Sequence, residues 1–124
     1  MGPSCTEPLP VNTPQSLSAP ELQQRLQQGE PIQLVDVRED QELALARLPY
    51  PVLHLPLSRS QEWLGDLEQR LRRDQPVAVL CHAGIRSWQM ACWLVEQGGY
   101  SDVWNVSGGI EAWSLQVDPS VPRY

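Results

Sequence analysis

The chain of 124 residues contains no lysine, only three cysteines and two histidines, and no long apolar run. Its nine arginines are outnumbered by 15 acidic residues, which gives a net charge of −6. This balance makes nucleic acid and anionic lipid unfavourable partners. An odd number of widely spaced cysteines does not indicate a disulfide framework. The scarcity of cysteine and histidine argues against a zinc site, and we expect no metal and no cofactor.

No stretch approaches the roughly 20 apolar residues that a membrane-spanning helix needs. The first residues also lack the basic and apolar segments of a secretory signal. Free thiols persist in a reducing compartment. We therefore expect a cytoplasmic protein without a membrane partner.

The length suits one domain with its own core, and prolines mark its ends. Four prolines in the first 15 residues predict a flexible N-terminal tail over residues 1–15. A second proline-bearing tail is predicted over residues 117–124, which leaves one domain at residues 16–116. Acidic residues such as Glu21 and Glu42 are interpreted as ordinary solvated surface charge.

Helical and extended patterns alternate along the predicted domain. Strands are predicted over residues 32–37, 52–55, 77–80 and 103–106. Helices are predicted from the Ser18 cap to Gly29, over residues 39–46 and 60–73, from Ser87 to Gly98, and from Gly109. This alternation indicates a mostly parallel sheet with helices on both faces. Ligands bind beyond the carboxyl ends of the strands in such sheets, so we expect the residues that carry chemistry directly after Leu80.

The loop after Leu80 carries the residues best suited to chemistry. Cys81 lies between a buried strand and a predicted helix, and Gly84 allows backbone angles that other residues resist. The amides of residues 82–86 can form an anion-binding nest, at which the following helix directs its positive end. With the charge of Arg86, these features favour the nucleophilic thiolate over the buried, inert thiol that is common for free cysteines.

Three stretches together resemble the signature of the rhodanese family in residue type, order and spacing. They are residues 34–39 (LVDVRE), 81–87 (CHAGIRS) and 105–113 (NVSGGIEAW). The resemblance implies a rhodanese-like three-layer α/β fold, with a central parallel sheet of about five strands and helices on both faces. It also implies a sulfurtransferase. In this activity, Cys81 takes sulfane sulfur from thiosulfate or a low-molecular-weight persulfide and passes it, as a persulfide, to a thiol or to cyanide.

The predicted site centres on the catalytic nucleophile, Cys81. The active-site loop that binds the anion consists of His82, Ala83, Gly84, Ile85, Arg86 and Ser87, and its support consists of Asp36 and Arg38. Arg86 is expected to position the donor and to steady the persulfide. For Ser87, a helix-start role and a bond to the loop both remain open. The sequence reveals no partner for His82.

One departure from the family pattern and two competing functions remain at this point. Ala46-Arg47-Leu48 stands where rhodaneses often have Gly-His-Ile, which puts the local backbone and partner contacts in doubt. A non-enzymatic rhodanese-like sulfur-carrier or regulatory binding module is one alternative function. For the sulfurtransferase itself, the acceptor can also be a protein. A cysteine-dependent phosphatase is the other alternative, but its Cys…Arg loop is one residue longer than the loop here.

Overall fold

The structure is a computed structural model that describes residues 13–124. Within these residues, five strands form one sheet: β1 (Gln15–Leu17), β2 (Gln33–Asp36), β3 (Leu53–His54), β4 (Val77–Leu80) and β5 (Val103–Val106). The order across the sheet is β1-β5-β4-β2-β3, and all neighbouring strands run parallel. The predicted α/β fold with about five parallel strands is confirmed.

The α-helices of the described chain cover both faces of this sheet. They are α1 (Ala19–Gln27), α2 (Asp40–Leu45), α3 (Leu67–Arg70), α4 (Ile85–Glu96) and α5 (Gly109–Gln116). Successive strand residues point to opposite faces. Val35 and Val79 therefore join a core with buried side chains of α3 and α4, whereas Leu34 and Ala78 join a second core with those of α1 and α5. These are the three layers that the sequence predicts.

Helix α1 illustrates how local signals define an element. The Ser18 hydroxyl accepts a hydrogen bond from the Glu21 amide at 3.2 Å, and the Glu21 carboxylate accepts one from the Ser18 amide at 2.9 Å. This reciprocal capping box satisfies two amide donors that the first helical turn leaves free. Pro20 in the first turn costs no helical hydrogen bond. The predicted start of the helix at Ser18 is confirmed.

The prediction of one helix over residues 60–73 is wrong. The chain forms two 3-10 segments before the short α3, at Leu57–Glu62 and Leu64–Asp66. Trp63 lies between them with φ −127° and ψ −13°, and its indole N–H donates to the Pro56 carbonyl at 3.0 Å. This bond and the burial of the indole take the chain out of helical geometry. Leu64, which the pattern places on the apolar face, is consequently 42% exposed.

The sheet edge at β1 changes where the N-terminal part of the domain begins. β1 starts at Gln15, the last residue of the predicted tail, and pairs with β5. Residues 1–12, which include Cys5, lie outside the described residues, so a flexible tail there stays a prediction. No helix within residues 13–124 is long and apolar enough to cross a membrane.

The last eight residues pack back against the domain. Val121 is buried, and its carbonyl accepts a hydrogen bond from the Ser114 hydroxyl at 2.6 Å. Asp118 also accepts hydrogen bonds from the amide and hydroxyl of Ser120. These contacts bring Tyr124 to the sheet edge at which β2 and β4 end.

Candidate active site

Cys81 follows β4 directly and lies at the carboxyl edge of the sheet. β4 is buried along its whole length, and Cys81 itself is 1% exposed. Gly84 precedes α4 with φ 103°, a conformation that residues with a side chain rarely adopt. Its amide donates to the Cys81 Sγ at 3.1 Å. Gly84 thus has the backbone angle that a loop curled around the sulfur requires.

Several hydrogen-bond donors surround the Cys81 sulfur. The Ser87 hydroxyl lies 3.2 Å from Sγ, in addition to the Gly84 amide. Burial raises the pKa of the Cys81 thiol, but hydrogen bonds from the Ser87 hydroxyl and from the amides of Ser87, Gly84 and Ala83 outweigh it and lower the pKa. The loop therefore favours the thiolate even though the sulfur is buried, and the thiolate is the nucleophilic form.

Ser87 links the sulfur to Asn105 on β5. The Ser87 Oγ lies 2.6 Å from the Asn105 Oδ1, and the Asn105 Nδ2 donates to the Gly84 carbonyl at 3.2 Å. A hydroxyl has one proton to donate. While Cys81 is a protonated thiol, the Ser87 hydroxyl donates this proton to the Asn105 Oδ1. When Cys81 is a thiolate, the hydroxyl can rotate and donate to the sulfur instead. Of the two roles left open for Ser87, these contacts favour the bond to the loop.

Ser87→Ala is expected to move the ionisation of Cys81 to higher pH. The variant loses the hydroxyl that lowers the pKa of the thiol, while the loop amides and the burial that raises the pKa remain. Less thiolate should then be present near neutral pH, and alkylation by iodoacetamide should slow by about tenfold, the effect of one lost hydrogen bond to a charged group. Rates measured across pH, with peptide mapping to Cys81, check this. A profile that superimposes on that of the wild type would contradict it.

The turn between β5 and α5 supports the Cys81 loop from the adjacent strand. The amides of Ile110 and Glu111 donate to the carbonyls of Cys81 and His82 at 2.9 and 3.1 Å. Gly109 has φ 60°, and a Cβ built on it would overlap with these two carbonyl oxygens. Only glycine allows the two loops to approach this closely. This tight strand-to-helix turn therefore also fixes the backbone of Cys81.

Arg86 forms a two-pronged ion pair with Glu42. The Arg86 Nη1 and Nη2 lie 2.8 and 2.9 Å from the two Glu42 carboxylate oxygens. This bond lowers the pKa of Glu42 to about 2, and Glu42 in turn raises the pKa of Arg86. The Glu42 carboxylate also accepts hydrogen bonds from the Glu39 amide and the Tyr124 hydroxyl. The interpretation of Glu42 as solvated surface charge is wrong, and the charge of Arg86 is balanced.

Asp36 and Arg38 form a second ion pair, which is buried. The Arg38 Nη2 lies 2.8 Å from the Asp36 Oδ2, and both side chains are almost fully enclosed. Arg38 also donates to the Ala46 carbonyl and to the Tyr124 hydroxyl, both at 2.9 Å. The pair thus supports the end of α2 and Tyr124. The Tyr124 hydroxyl in turn donates to Glu42, which binds Arg86 of the Cys81 loop. Ala46 accepts with its backbone, a contact that does not depend on the residue type at this departure from the family pattern.

The rim of the site is largely aromatic and apolar. The His82 ring stacks on Tyr124 with ring centroids 4.2 Å apart, and its Nε2 lies 3.6 Å from a Glu111 carboxylate oxygen. His82 therefore has partners that the sequence did not reveal. Ala83 is exposed, and Ile85 and Trp88 are 70% and 39% exposed beside it. The rim thus presents apolar surface next to the Arg86–Glu42 pair.

The sequence of the chain is similar to those of known proteins. A sequence model described as the rhodanese-like domain matches residues 18–116. The chain is 45% identical over 93 residues to the rhodanese-like/PpiC domain-containing protein 12, chloroplastic, of Arabidopsis thaliana, covering 74% of this chain and 30% of that protein. It is 35% identical over 100 residues to a sulfurtransferase of Allochromatium vinosum, covering 81% of this chain and 88% of that protein.

A solved structure supports the same assignment. The crystal structure of a rhodanese-like domain protein from Staphylococcus aureus superposes with a TM-score of 0.67 at 26% identity. The superposition covers 89% of this chain and 98% of that one. Sequence and fold thus agree over nearly all of the predicted domain, and the chain belongs to the rhodanese-like domain family.

Proposed function

We propose that the protein is a sulfurtransferase in which Cys81 carries sulfane sulfur as a persulfide. The observation that carries the proposal is the environment of the Cys81 Sγ. This sulfur accepts a hydrogen bond from the Gly84 amide at 3.1 Å and lies 3.2 Å from the Ser87 hydroxyl. A thiolate held in this way is a nucleophile before any substrate arrives. Relatives that are named sulfurtransferases support the class of reaction.

The first half-reaction loads the cysteine. The Cys81 thiolate attacks the outer sulfur of the donor, and a new S–S bond forms as the S–S bond of the donor breaks. The electron pair of that bond leaves on sulfite when thiosulfate is the donor, or on a thiolate when a persulfide is the donor. Because Cys81 is 1% exposed, the end of a sulfane chain fits the approach to Sγ better than a bulky reacting centre does.

The second half-reaction unloads it. A thiolate or cyanide attacks the outer sulfur of the Cys81 persulfide, and the electron pair of the persulfide bond returns to Cys81 as a thiolate. The negative outer sulfur is stabilised in the meantime by the loop amides and the N-terminal end of α4. Two displacements replace one difficult transfer, which is the advantage of a covalent intermediate.

The rim favours a low-molecular-weight persulfide over thiosulfate as the donor. Arg86 is the cation of the loop, but the Glu42 carboxylate, ionised because its pKa is about 2, balances its charge. Thiosulfate carries two negative charges and gains little from a balanced pair. The exposed side chains of Ile85 and Trp88 instead offer apolar contact to an organic persulfide. Acceptors are thiols, either small molecules or a protein.

Glu42→Gln is expected to shift this preference toward thiosulfate. The amide retains an oxygen that can accept from Arg86 and removes the negative charge, so Arg86 presents a net positive charge at the rim. The ratio of kcat/KM for thiosulfate to that for cysteine persulfide should rise by about fivefold at low ionic strength, and added salt should reduce the gain. Glu62→Gln is the control, because Glu62 pairs with Arg59 at an exposed position. An unchanged ratio in Glu42→Gln would contradict the balanced-charge argument.

The proposal is tested by incubating the protein with each sulfur donor and measuring the mass of the intact protein by mass spectrometry. We expect the gain of one sulfur atom, located on Cys81 by peptide mapping and removed by cyanide as thiocyanate. A gain located on Cys5 or Cys92, or no gain with thiosulfate or with any persulfide, would refute the proposal. Hydrolysis of an aryl phosphate that depends on Cys81 would favour a phosphatase instead.

The compartment follows from the same chemistry. A persulfide cycle needs reduced thiols, and Cys81 and Cys92 are both free in the described part of the chain. We propose a reducing compartment such as the cytoplasm. The name of the Arabidopsis relative assigns that protein to the chloroplast.

A further inference from the structure

Tyr124 contacts one end of the Cys81 loop directly and reaches the other end through Glu42. Its ring stacks on His82, the residue after Cys81, with centroids 4.2 Å apart and planes inclined by 26°. Its hydroxyl lies 3.0 Å from the Glu42 carboxylate, which binds Arg86 at the other end of the loop.

The Tyr124 hydroxyl both accepts and donates a hydrogen bond. It accepts a hydrogen bond from the Arg38 Nη1 at 2.9 Å and donates its single proton to Glu42. Arg38 is itself held by the buried Asp36 carboxylate. A continuous chain of charge-assisted hydrogen bonds therefore runs from the buried Asp36–Arg38 pair to Arg86. Such bonds are shorter and stronger than those between neutral groups.

The segment that delivers Tyr124 is anchored, so these contacts are supported by the fold. Val121 is buried beneath the segment. The neighbouring Arg123 lies 2.7 Å from the Glu111 carboxylate, and Glu111 faces the His82 Nε2. Tyr124 thus contacts His82 directly by stacking, and Arg123 contacts it indirectly through Glu111.

We infer that Tyr124 is a positioning residue of the Cys81 site, which clamps the loop with its ring on His82 and its hydroxyl on the Glu42 carboxylate that binds Arg86. The inference rests on the proposed function for the use of the site, but not for its geometry. Two of the amides that face the Cys81 sulfur, those of Ala83 and Gly84, lie between these two ends, and the third, that of Ser87, directly follows Arg86. Loosening either end misaligns the amides and makes the thiolate less stable.

The test replaces Tyr124 and measures how Cys81 ionises in the folded protein. Tyr124→Phe keeps the ring on His82 and loses both hydroxyl contacts, whereas Tyr124→Leu loses the stacking as well. Iodoacetamide alkylation of Cys81, followed across pH by peptide mapping, should shift to higher pH in both variants. Near neutral pH the rate should fall by about threefold in Tyr124→Phe and by about tenfold in Tyr124→Leu.

Apart from Tyr124 itself, the charged and titratable side chains around the loop are Arg86, Glu42, His82 and Glu111, and neither substitution removes any of them. A shift therefore reports the geometry of the loop. Tyr100→Phe is the matched control, because it removes a buried hydroxyl that donates to the Leu71 carbonyl at 2.7 Å outside the site. We expect this control to lose stability and to leave the alkylation profile of Cys81 unchanged.

The outcomes separate the clamp from the proposed function. A shifted profile in the Tyr124 variants alone supports the clamp, whether or not the protein accepts sulfur. A protein that forms the Cys81 persulfide but shows superimposable profiles for wild type and Tyr124→Leu retains the proposed function and overturns the clamp. An equal shift in Tyr100→Phe also overturns it, because the effect would then follow from lost stability.

Discussion

Cys81→Ser is expected to abolish persulfide formation and to lower kcat/KM for sulfur transfer by about a thousandfold or more. The loop lowers the pKa of the Cys81 thiol by hydrogen bonds to sulfur, but a serine hydroxyl remains protonated at neutral pH and cannot hold a sulfane sulfur. The site stays closed around a similar side chain, so folding should be preserved. Thiocyanate production from each donor with cyanide, together with the mass of the loaded protein, measures the effect.

Cys92→Ser is the matched control for this substitution. Cys92 lies on α4, and its pKa is raised by burial and by Glu96. It therefore carries little thiolate and should be dispensable, so Cys92→Ser should retain the wild-type rate. Full turnover in Cys81→Ser would place the chemistry on another residue and would remove the basis of the proposed mechanism. Equal loss in both variants would point to a general effect of removing cysteine.

The sequence predicts those features of the site that depend on neighbouring residues. An apolar run followed by Cys81 and Gly84 predicts a strand, a loop and a helix, because each signal lies within a few residues of the next. The strand pattern over residues 103–106 likewise lies close to Gly109, where the next helix is predicted to begin. The order of strands and helices then places the loop at the carboxyl edge of a parallel sheet. Most of the fold and the centre of the site follow from these local patterns.

The groups that tune the site could not be predicted, because their partners lie far away in sequence. Glu42 binds Arg86 across 44 residues and Tyr124 across 82. A glutamate near the start of a short helix looks the same in sequence whether it is solvated or paired. Asn105 offered a better signal, since a lone amide among apolar strand residues needs a hydrogen-bond partner. Its partner, Ser87, becomes apparent only when β5 lies beside the loop.

The broken helix shows a related limit of periodic patterns. Trp63 and Leu67 are buried as the helical spacing predicts. The spacing indicates which side chains face the core, but it does not reveal that the Trp63 indole bonds the Pro56 carbonyl. That one tertiary contact outweighs the local helical preference, which is worth only about 0.5 kcal/mol per residue.

Asp36→Asn is expected to lower the free energy of unfolding by about 3–5 kcal/mol, which is the cost of leaving one partner of a buried ion pair uncompensated. Arg38 is 0% exposed. Its Nε and Nη2 lie 3.0 and 2.8 Å from the Asp36 carboxylate oxygens. The asparagine has the same shape but cannot balance the charge, and its NH₂ group faces guanidinium donors. Urea unfolding followed by tryptophan fluorescence measures the loss as a lower midpoint at an unchanged slope.

Asp74→Asn provides a control with the same substitution and the same spacing to its arginine. Asp74 pairs with Arg72 two residues away, as Asp36 does with Arg38, and the distance is 2.7 Å. Both side chains of this second pair are about two-thirds exposed, so water compensates the charge that remains. We expect a change within about 0.5 kcal/mol. Similar losses in the two variants would contradict the argument, because burial is the property that distinguishes the pairs and the reason for the expected cost.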